Sequence, residues 1–201
     1  MFAPPQRQIT SKIDLCGAPA NGVAPSVAQS ISQNVLGIDP GLTRCGYAVL
    51  RLAGSTEVSM TALGVLRTKP EQDLPNRLAE IAFEIDALLD EYQPSVVAVE
   101  RIFFQSNVRT AMSVGQVSGL VLSAAARRSI EVVQYSPNQV KLAITGWGGA
   151  NKAQVQKMVK QRLKLNSIPK PADAADAAAI ALCHIASNSL ATKIAQSMRG
   201  N

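Results

Sequence analysis

The chain has 201 residues, 47% of them apolar, which suits one ordinary domain with a full core, and no apolar run approaches the ~18 residues that a membrane span requires. The net charge of +6 is unevenly placed: residues 101–170 carry 11 basic side chains and one acid, Glu131, against 7 basic and 11 acidic in residues 1–100, a pattern that fits a polyanionic partner or, more blandly, a solvated lysine-rich face. Three scattered cysteines, Cys16, Cys45 and Cys183, match no zinc spacing and no disulfide framework, and suit a reducing cytosol.

Residues 1–34 are rich in Ser, Ala, Pro, Gln and Asn and lack periodicity. They read as a disordered N-terminal extension, or as a start codon placed too early; neither the apolar region of a secretory signal nor the arginine content of a transit peptide is present. Residues 35–50 read as a strand ending at Asp39, a Pro40–Thr43 turn and a second strand from Gly46 to Leu50. Val58 to Thr68 adds a third, interrupted by Gly64, for three antiparallel strands in all. Asp73 and Pro75 open a helix. Its Leu78, Ile81, Ala82, Ile85, Leu88 and Leu89 share one face, and Tyr92-Gln93-Pro94 ends it.

Val96 to Glu100 is an unbroken apolar run closed by an acid, as in a parallel strand buried on both faces. A helix over 106–128 carries Gly115, Ser118, Gly119 and Ser123, small residues that could serve a close contact between two copies. Glu131 to Tyr135 is a short strand. Ser136 and Gln139 then form a capping box around Pro137, and that helix carries Lys141 and ends at Gly146. Gly146-Trp147-Gly148-Gly149 reads as a mobile loop. Asn151 with Gln154 caps a helix whose Val155, Met158, Val159 and Leu163 face inward and whose Lys152, Lys157, Lys160, Arg162 and Lys164 are basic. After Pro169 and Pro171, an alanine-rich helix runs from about Ala172 to Ser189, and 191–201 reads as a flexible tail. Antiparallel strands followed by alternating helices and strands give an α/β domain over 35–190, with a mixed central sheet.

Four acids sit where acids are expensive. Asp39 and Glu100 end apolar strands, and Asp173 and Asp176, three apart, share a helix face. If the two strands are neighbours, the four carboxylates converge and raise one another's pKa, a conflict that hard divalent cations remove. Two ions about 4 Å apart can clamp the attacking water and the leaving oxygen of a phosphodiester. Each acid also has a plain alternative: Asp39 as a turn residue before Pro-Gly, Glu100 as a solvated strand end, Asp173 and Asp176 as partners of a helix dipole.

In chain order, Gly37-Ile38-Asp39-Pro40-Gly41, then Ala98-Val99-Glu100 followed by Phe103, then Gln139-Val140-Lys141, then Asp173-Ala-Ala-Asp176-Ala resemble the RuvC family of Holliday-junction resolvases over residues 34–188. The resemblance implies an RNase H-like fold with a mixed five-stranded central sheet flanked by helices. It implies metal ligation by Asp39, Glu100, Asp173 and Asp176, with two Mg²⁺ per site and Mn²⁺ able to substitute, and catalytic lysines at Lys141 and Lys152. Phe103 matches an aromatic that stacks on a base near the crossover. The partners implied are four-way junction DNA, a second copy of the chain as a homodimer, and the RuvA–RuvB branch-migration complex, all in the bacterial cytoplasm.

Read directly, Lys141 and Lys152 lie in or near the first turns of capped helices, where phosphate binds. Phe103 or Phe104 could stack on an unpaired base, and Trp147 could touch DNA or cover a core edge. Gln105, Arg109 and Lys157 are further candidate DNA contacts. His184, 11 residues beyond Asp173 and so roughly 16 Å along the helix, is read as structural. Three rivals stay open: a phosphate loop of the actin and sugar-kinase type at Asp39–Thr43, a non-catalytic DNA-binding module, and an RNase H-like nuclease with another substrate.

Overall fold

In the computed structural model the elements follow the order β1 (Gln33–Asp39), β2 (Arg44–Ala53), β3 (Glu57–Arg67), α1 (Leu74–Tyr92), β4 (Val96–Glu100), α2 (Val108–Arg127), β5 (Glu131–Tyr135), α3 (Pro137–Thr145), α4 (Lys152–Arg162) and α5 (Ala172–Arg199). The structure describes residues 33–54, 57–101 and 108–199, with side chains for all but 108–110 and 189–199. The reading of residues 1–34 therefore lies outside the described residues except at Gln33 and Asn34, which already belong to β1.

The strands form one mixed sheet in the order β3-β2-β1-β4-β5. The first three are antiparallel, and β1–β4 and β4–β5 are parallel. Alternation along each strand divides the core in two. Leu36, Ile38, Val49, Val97 and Val99 pack with Ile81, Ile85, Leu88 and Leu89 of α1 and with Val117 and Val121 of α2. Val35, Ala48, Leu50 and Ala98 point the other way and pack with α3, α4 and α5.

That second face is lined by small residues, which decides how close a helix can come. A Cβ on Gly37 would stand 2.2 Å from the Ala177 carbonyl oxygen, and one on Gly46 would stand 2.1 Å from that of Asp173. The alanine content of α5 has the same origin, since Ala174, Ala175, Ala177, Ala178 and Ala181 are fully buried, the last three in the core that the sheet shares with α3 and α4. Helix α5 is thus a central element of the core.

Several boundaries differ from the sequence expectation. Gly64 does not interrupt β3; the Tyr47 ring lies against its bare Cα, and the register shift falls at Val49/Leu50 instead. Asp73 occupies the N-cap of α1 but makes no side-chain cap bond to the backbone, because its carboxylate accepts from Asn76 Nδ2. Helix α5 continues to Arg199 rather than ending at Ser189 before a flexible tail, since nothing between Ser189 and Arg199 is Gly or Pro. Of the small residues on α2, Ser118 is buried and Ser123 accepts from Arg127, while Gly119 faces open space on the side that also exposes Met112. Both capping boxes form as expected, at Ser136/Gln139 and Asn151/Gln154.

His184 is buried, and its Nδ1 lies 3.0 Å from the Tyr135 hydroxyl, tying α5 to the end of β5. Burial pushes its pKa down, which keeps the ring neutral and fits the structural reading. Tyr135→Phe leaves that nitrogen without this hydroxyl and is expected to cost about 1–3 kcal/mol. Urea unfolding of the variant against the parent measures it, and an unchanged midpoint would show that the bond contributes nothing net.

Candidate metal centre

The Asp39 turn is built to hold one geometry. Gly41 is obligatory, because a Cβ there would stand 2.3 Å from the Arg44 carbonyl oxygen. The buried Thr68 hydroxyl donates to Leu42 O at 2.6 Å and accepts from Arg77 Nε at 2.9 Å. Arg77 Nη2 also donates to Thr43 Oγ1. Strand β3 and helix α1 together clamp the loop that presents Asp39.

The parallel pairing of β1 and β4 runs to Ile38 opposite Val99, so Asp39 and Glu100 are the next residues on adjacent strands. Both share the strand parity of Gly37 and Ala98, which puts them on the α5 side. On the antiparallel side Asp39 pairs with Gly46, whose missing side chain admits the first turn of α5 and with it Asp173. Asp39, Asp173 and Asp176 each offer an oxygen within 4.8 Å of the others'. Glu100 lies outside that closest group yet is electrostatically coupled to Asp39 and Asp176.

Burial, then the charges of Glu100, Asp176 and Asp173, raise the Asp39 pKa from 3.8 to about 7, with Lys152 opposing them. Glu100 is also pushed up, first by burial and then by Asp176, against Lys152 and Lys141. Carboxylates held this close against their own repulsion are the donor set of a hard divalent cation, and the three-oxygen cluster fits one.

Two side chains already counter the cluster. Lys152, the first residue of α4, places its Nζ 2.6 Å from Asp176 Oδ2; that hydrogen bond raises its pKa and keeps it cationic at neutral pH. Arg44 reaches Asp173 Oδ2 with Nε at 2.6 Å and Nη2 at 2.5 Å. Arg44 entered the sequence reading only as a unit of charge. The available signal was its place just past the Asp39 turn, where the hairpin returns beside the acid.

Lys141 sits in α3, near enough to Glu100 to lower its pKa. Lys157 lies on the exposed side of α4. Trp147 is 61% exposed and lies beside the buried Ala150. Its loop is tied to α3: Thr145 Oγ1 accepts from Trp147 N, its one proton lies between Lys141 O and Trp147 O, and Gly146 closes α3 at φ 78°. Phe103, Phe104, Gln105 and the Arg109 side chain lie outside the described residues. The basic block is less free than its count suggests, because Arg127 pairs with Asp86, and Arg128 with Asp86 and Asp90, across α1 and α2. Among the described residues no helix is long and apolar enough to cross a membrane.

The chain is similar to known proteins over most of its length. A family model described as crossover junction endodeoxyribonuclease RuvC matches residues 35–184. The crossover junction endodeoxyribonuclease RuvC of Pseudarthrobacter chlorophenolicus is 51% identical over 150 residues, which span 75% of this chain and 78% of that one. That of Thermobifida fusca is 50% identical over 162 residues, 81% of this chain and 89% of that one. Among solved structures, Thermus thermophilus RuvC in complex with a Holliday junction substrate superposes with a TM-score of 0.75 at 36% identity, covering 80% of this chain and 97% of that one. The yeast mitochondrial Holliday junction resolvase Ydc2, at 17% identity and a TM-score of 0.58 over 80% of this chain and 82% of that one, shares the fold.

Proposed function

The chain belongs to the RuvC family of crossover junction endodeoxyribonucleases, and from that premise we propose that it resolves Holliday junctions by symmetric, metal-dependent nicking of two strands in recombination and DNA repair. The observation that carries the chemistry is the carboxylate cluster of Asp39, Asp173 and Asp176 within 4.8 Å, with Glu100 coupled to it. These residues would hold Mg²⁺, two ions per site, with Mn²⁺ able to substitute. Bound there, the metal supplies a hydroxide-strength water and offsets the charge that grows on the phosphate in transfer.

The protein's own groups do the rest. Asp39, fixed by the clamped turn, and Asp173 and Asp176, fixed by the seating of α5, keep their oxygens in place before any ligand arrives, so little reorganisation remains for the reaction. Lys152, cationic and hydrogen-bonded to Asp176, stands beside the cluster where a flanking phosphate oxygen can accept from it. Lys141, near Glu100, adds a second positive charge for the scissile phosphate. Phe103 and Phe104, with Gln105, Arg109, Trp147 and Lys157, would contact the strands around the crossover. The products carry 5′-phosphate and 3′-hydroxyl ends.

A four-way junction has approximate two-fold symmetry and needs two nicks, so a C₂ homodimer with two equivalent sites matches it. The exposed Gly119 and Met112 strip of α2 is a surface such a contact could use. Cooperation with the RuvA–RuvB complex and a cytoplasmic location accompany the family reading.

The test offers the protein a synthetic four-way junction, a linear duplex and an RNA–DNA hybrid, each with Mg²⁺ and with EDTA, and maps the nicks. Paired nicks at symmetric positions of the junction, lost in EDTA, are expected. Cleavage of the hybrid in preference to the junction would assign the cluster to a different RNase H-like activity.

A further inference from the structure

We propose that the groove between the Trp147 loop and helix α4 is a nucleotide site, in which one base of the substrate strand, a few nucleotides from the cut, stacks on the Trp147 indole with its phosphate on Lys157. The inference rests on the DNA-cutting reading above and adds to it a defined subsite. The groove has a volume of about 300 Å³ and is lined by Thr145, Trp147, Gln154, Lys157, Met158 and Gln161. That is the lower end of the small-ligand range, so it suits one nucleotide and not a duplex.

Three features select a base as occupant. The first is the ring itself. The indole lies over the backbone of Gly149, where a Cβ would stand 2.6 Å from its Cζ2, so one side of the ring is seated while the residue as a whole remains 61% exposed. Thr145 Oγ1 accepts from Trp147 N at 3.1 Å, and its one proton is shared between Lys141 O at 2.8 Å and Trp147 O at 2.9 Å, which ties the loop to the last turn of α3. A supported flat ring with an open face is what base stacking uses.

The second feature is the face opposite the ring. Gln154, Lys157, Met158 and Gln161 fall at i, i+3, i+4 and i+7 and so share one side of α4. They supply a thioether for van der Waals contact, carboxamides for a base edge, and one cation without an acid among them. Gln154 Oε1 accepts from Asn151 N, which orients its amide.

The third is continuity with the metal centre. Lys152, five residues after Trp147 and therefore at most ~17 Å along the chain, reaches Asp176 at 2.6 Å. That span is a few nucleotides of extended strand; Gln154, Lys157, Met158 and Gln161 lie on the side of α4 opposite Lys152, so the proposed path rounds the start of α4 to reach the groove.

Trp147 is the chain's one tryptophan, so its fluorescence reports the groove alone. The experiment titrates a synthetic four-way junction into full-length Asp39→Asn protein in EDTA, following tryptophan emission together with the anisotropy of labelled DNA. Saturable quenching that tracks binding is expected. Adding Trp147→Ala should weaken junction binding roughly tenfold to hundredfold, and Trp147→Phe should recover most of it. Lys157→Ala should lower the slope of log affinity against log salt by about one. Junction binding with silent tryptophan emission, or equal affinity in Trp147→Ala with an unchanged melting temperature, would overturn the subsite. Mg²⁺-dependent junction cleavage by the wild-type chain is scored separately: cleavage with a silent indole removes the groove and leaves the resolvase reading, whereas quenching by DNA without cleavage does the reverse.

Discussion

Asp39→Asn is expected to abolish Mg²⁺-dependent junction cleavage, by ~10³-fold or more, while junction binding persists and the metal-free protein becomes more stable. The two effects have one cause. Asp39 lies in the middle of the acid cluster and bears the repulsion of Glu100, Asp176 and Asp173 on top of burial, which lifts its pKa from 3.8 to about 7. Between those values the folded protein binds a proton that the unfolded chain does not. Stability therefore falls as pH rises from about 4 to about 7, and above that the full cost of the carboxylate, on the order of 4 kcal/mol at most, is present. The asparagine is nearly the same shape and does not titrate. The gap in melting temperature between variant and parent in EDTA should widen from pH 4 to pH 7 and then level off. Mg²⁺ should close it at pH 8 by raising the parent more than the variant. Melting curves at pH 4.5, 6 and 8, with and without Mg²⁺, measure this. A gap that ignores both pH and metal would mean that the carboxylates are not in conflict, and cleavage by the variant would remove Asp39 from the reaction.

Gly46→Ala adds one methyl group and is expected to disable the enzyme almost as thoroughly. The new Cβ would stand 2.1 Å from the carbonyl oxygen of Asp173 and 2.6 Å from its carbonyl carbon. Both atoms are backbone, so no rotamer change relieves the contact; the start of α5 must lift off the sheet. Overpacking of this kind costs roughly 1–3 kcal/mol, equivalent to a fall of about 2–12 °C in melting temperature for a chain of this size. The larger effect is on the site, because the segment that moves carries Asp173 and Asp176. A displacement of about 1 Å at a preorganised centre lowers the rate ~10²-fold. Gly37→Ala presses on the same helix at Ala177 and Ala181 and should behave alike. Full activity in either variant would show that the acids do not depend on the close seating of α5.

Part of this was legible in the sequence because it is written in local chemistry. The short apolar run of Val35 to Ile38 before Asp39, the apolar run of Val96 to Val99, the capping boxes at Ser136 and Asn151, and the helical spacing of Ile81, Ile85, Leu88 and Leu89 depend on neighbours a few residues away, and the structure reproduces them. An acid at the end of a buried strand is conspicuous in the same way, so Asp39 and Glu100 stood out, and the spacing of Asp173 and Asp176 put them on one helix face.

What the tertiary structure alone decided comes from residues far apart in the chain. Arg44 meets Asp173 across 129 positions, and Lys152 meets Asp176 across 24. Asp86 and Asp90 of α1 take up Arg127 and Arg128, two of the charges in the basic block. Gly37 and Gly46 look like ordinary strand glycines until α5 is laid against them, and the alanines of α5 look like mere helix formers until the sheet is beneath them. Periodicity and capping record the few residues on either side of a position. The depth at which a helix sits on a sheet, and hence the distance between oxygens from three separate elements, is fixed by steric contact between surfaces that meet only once the chain has folded.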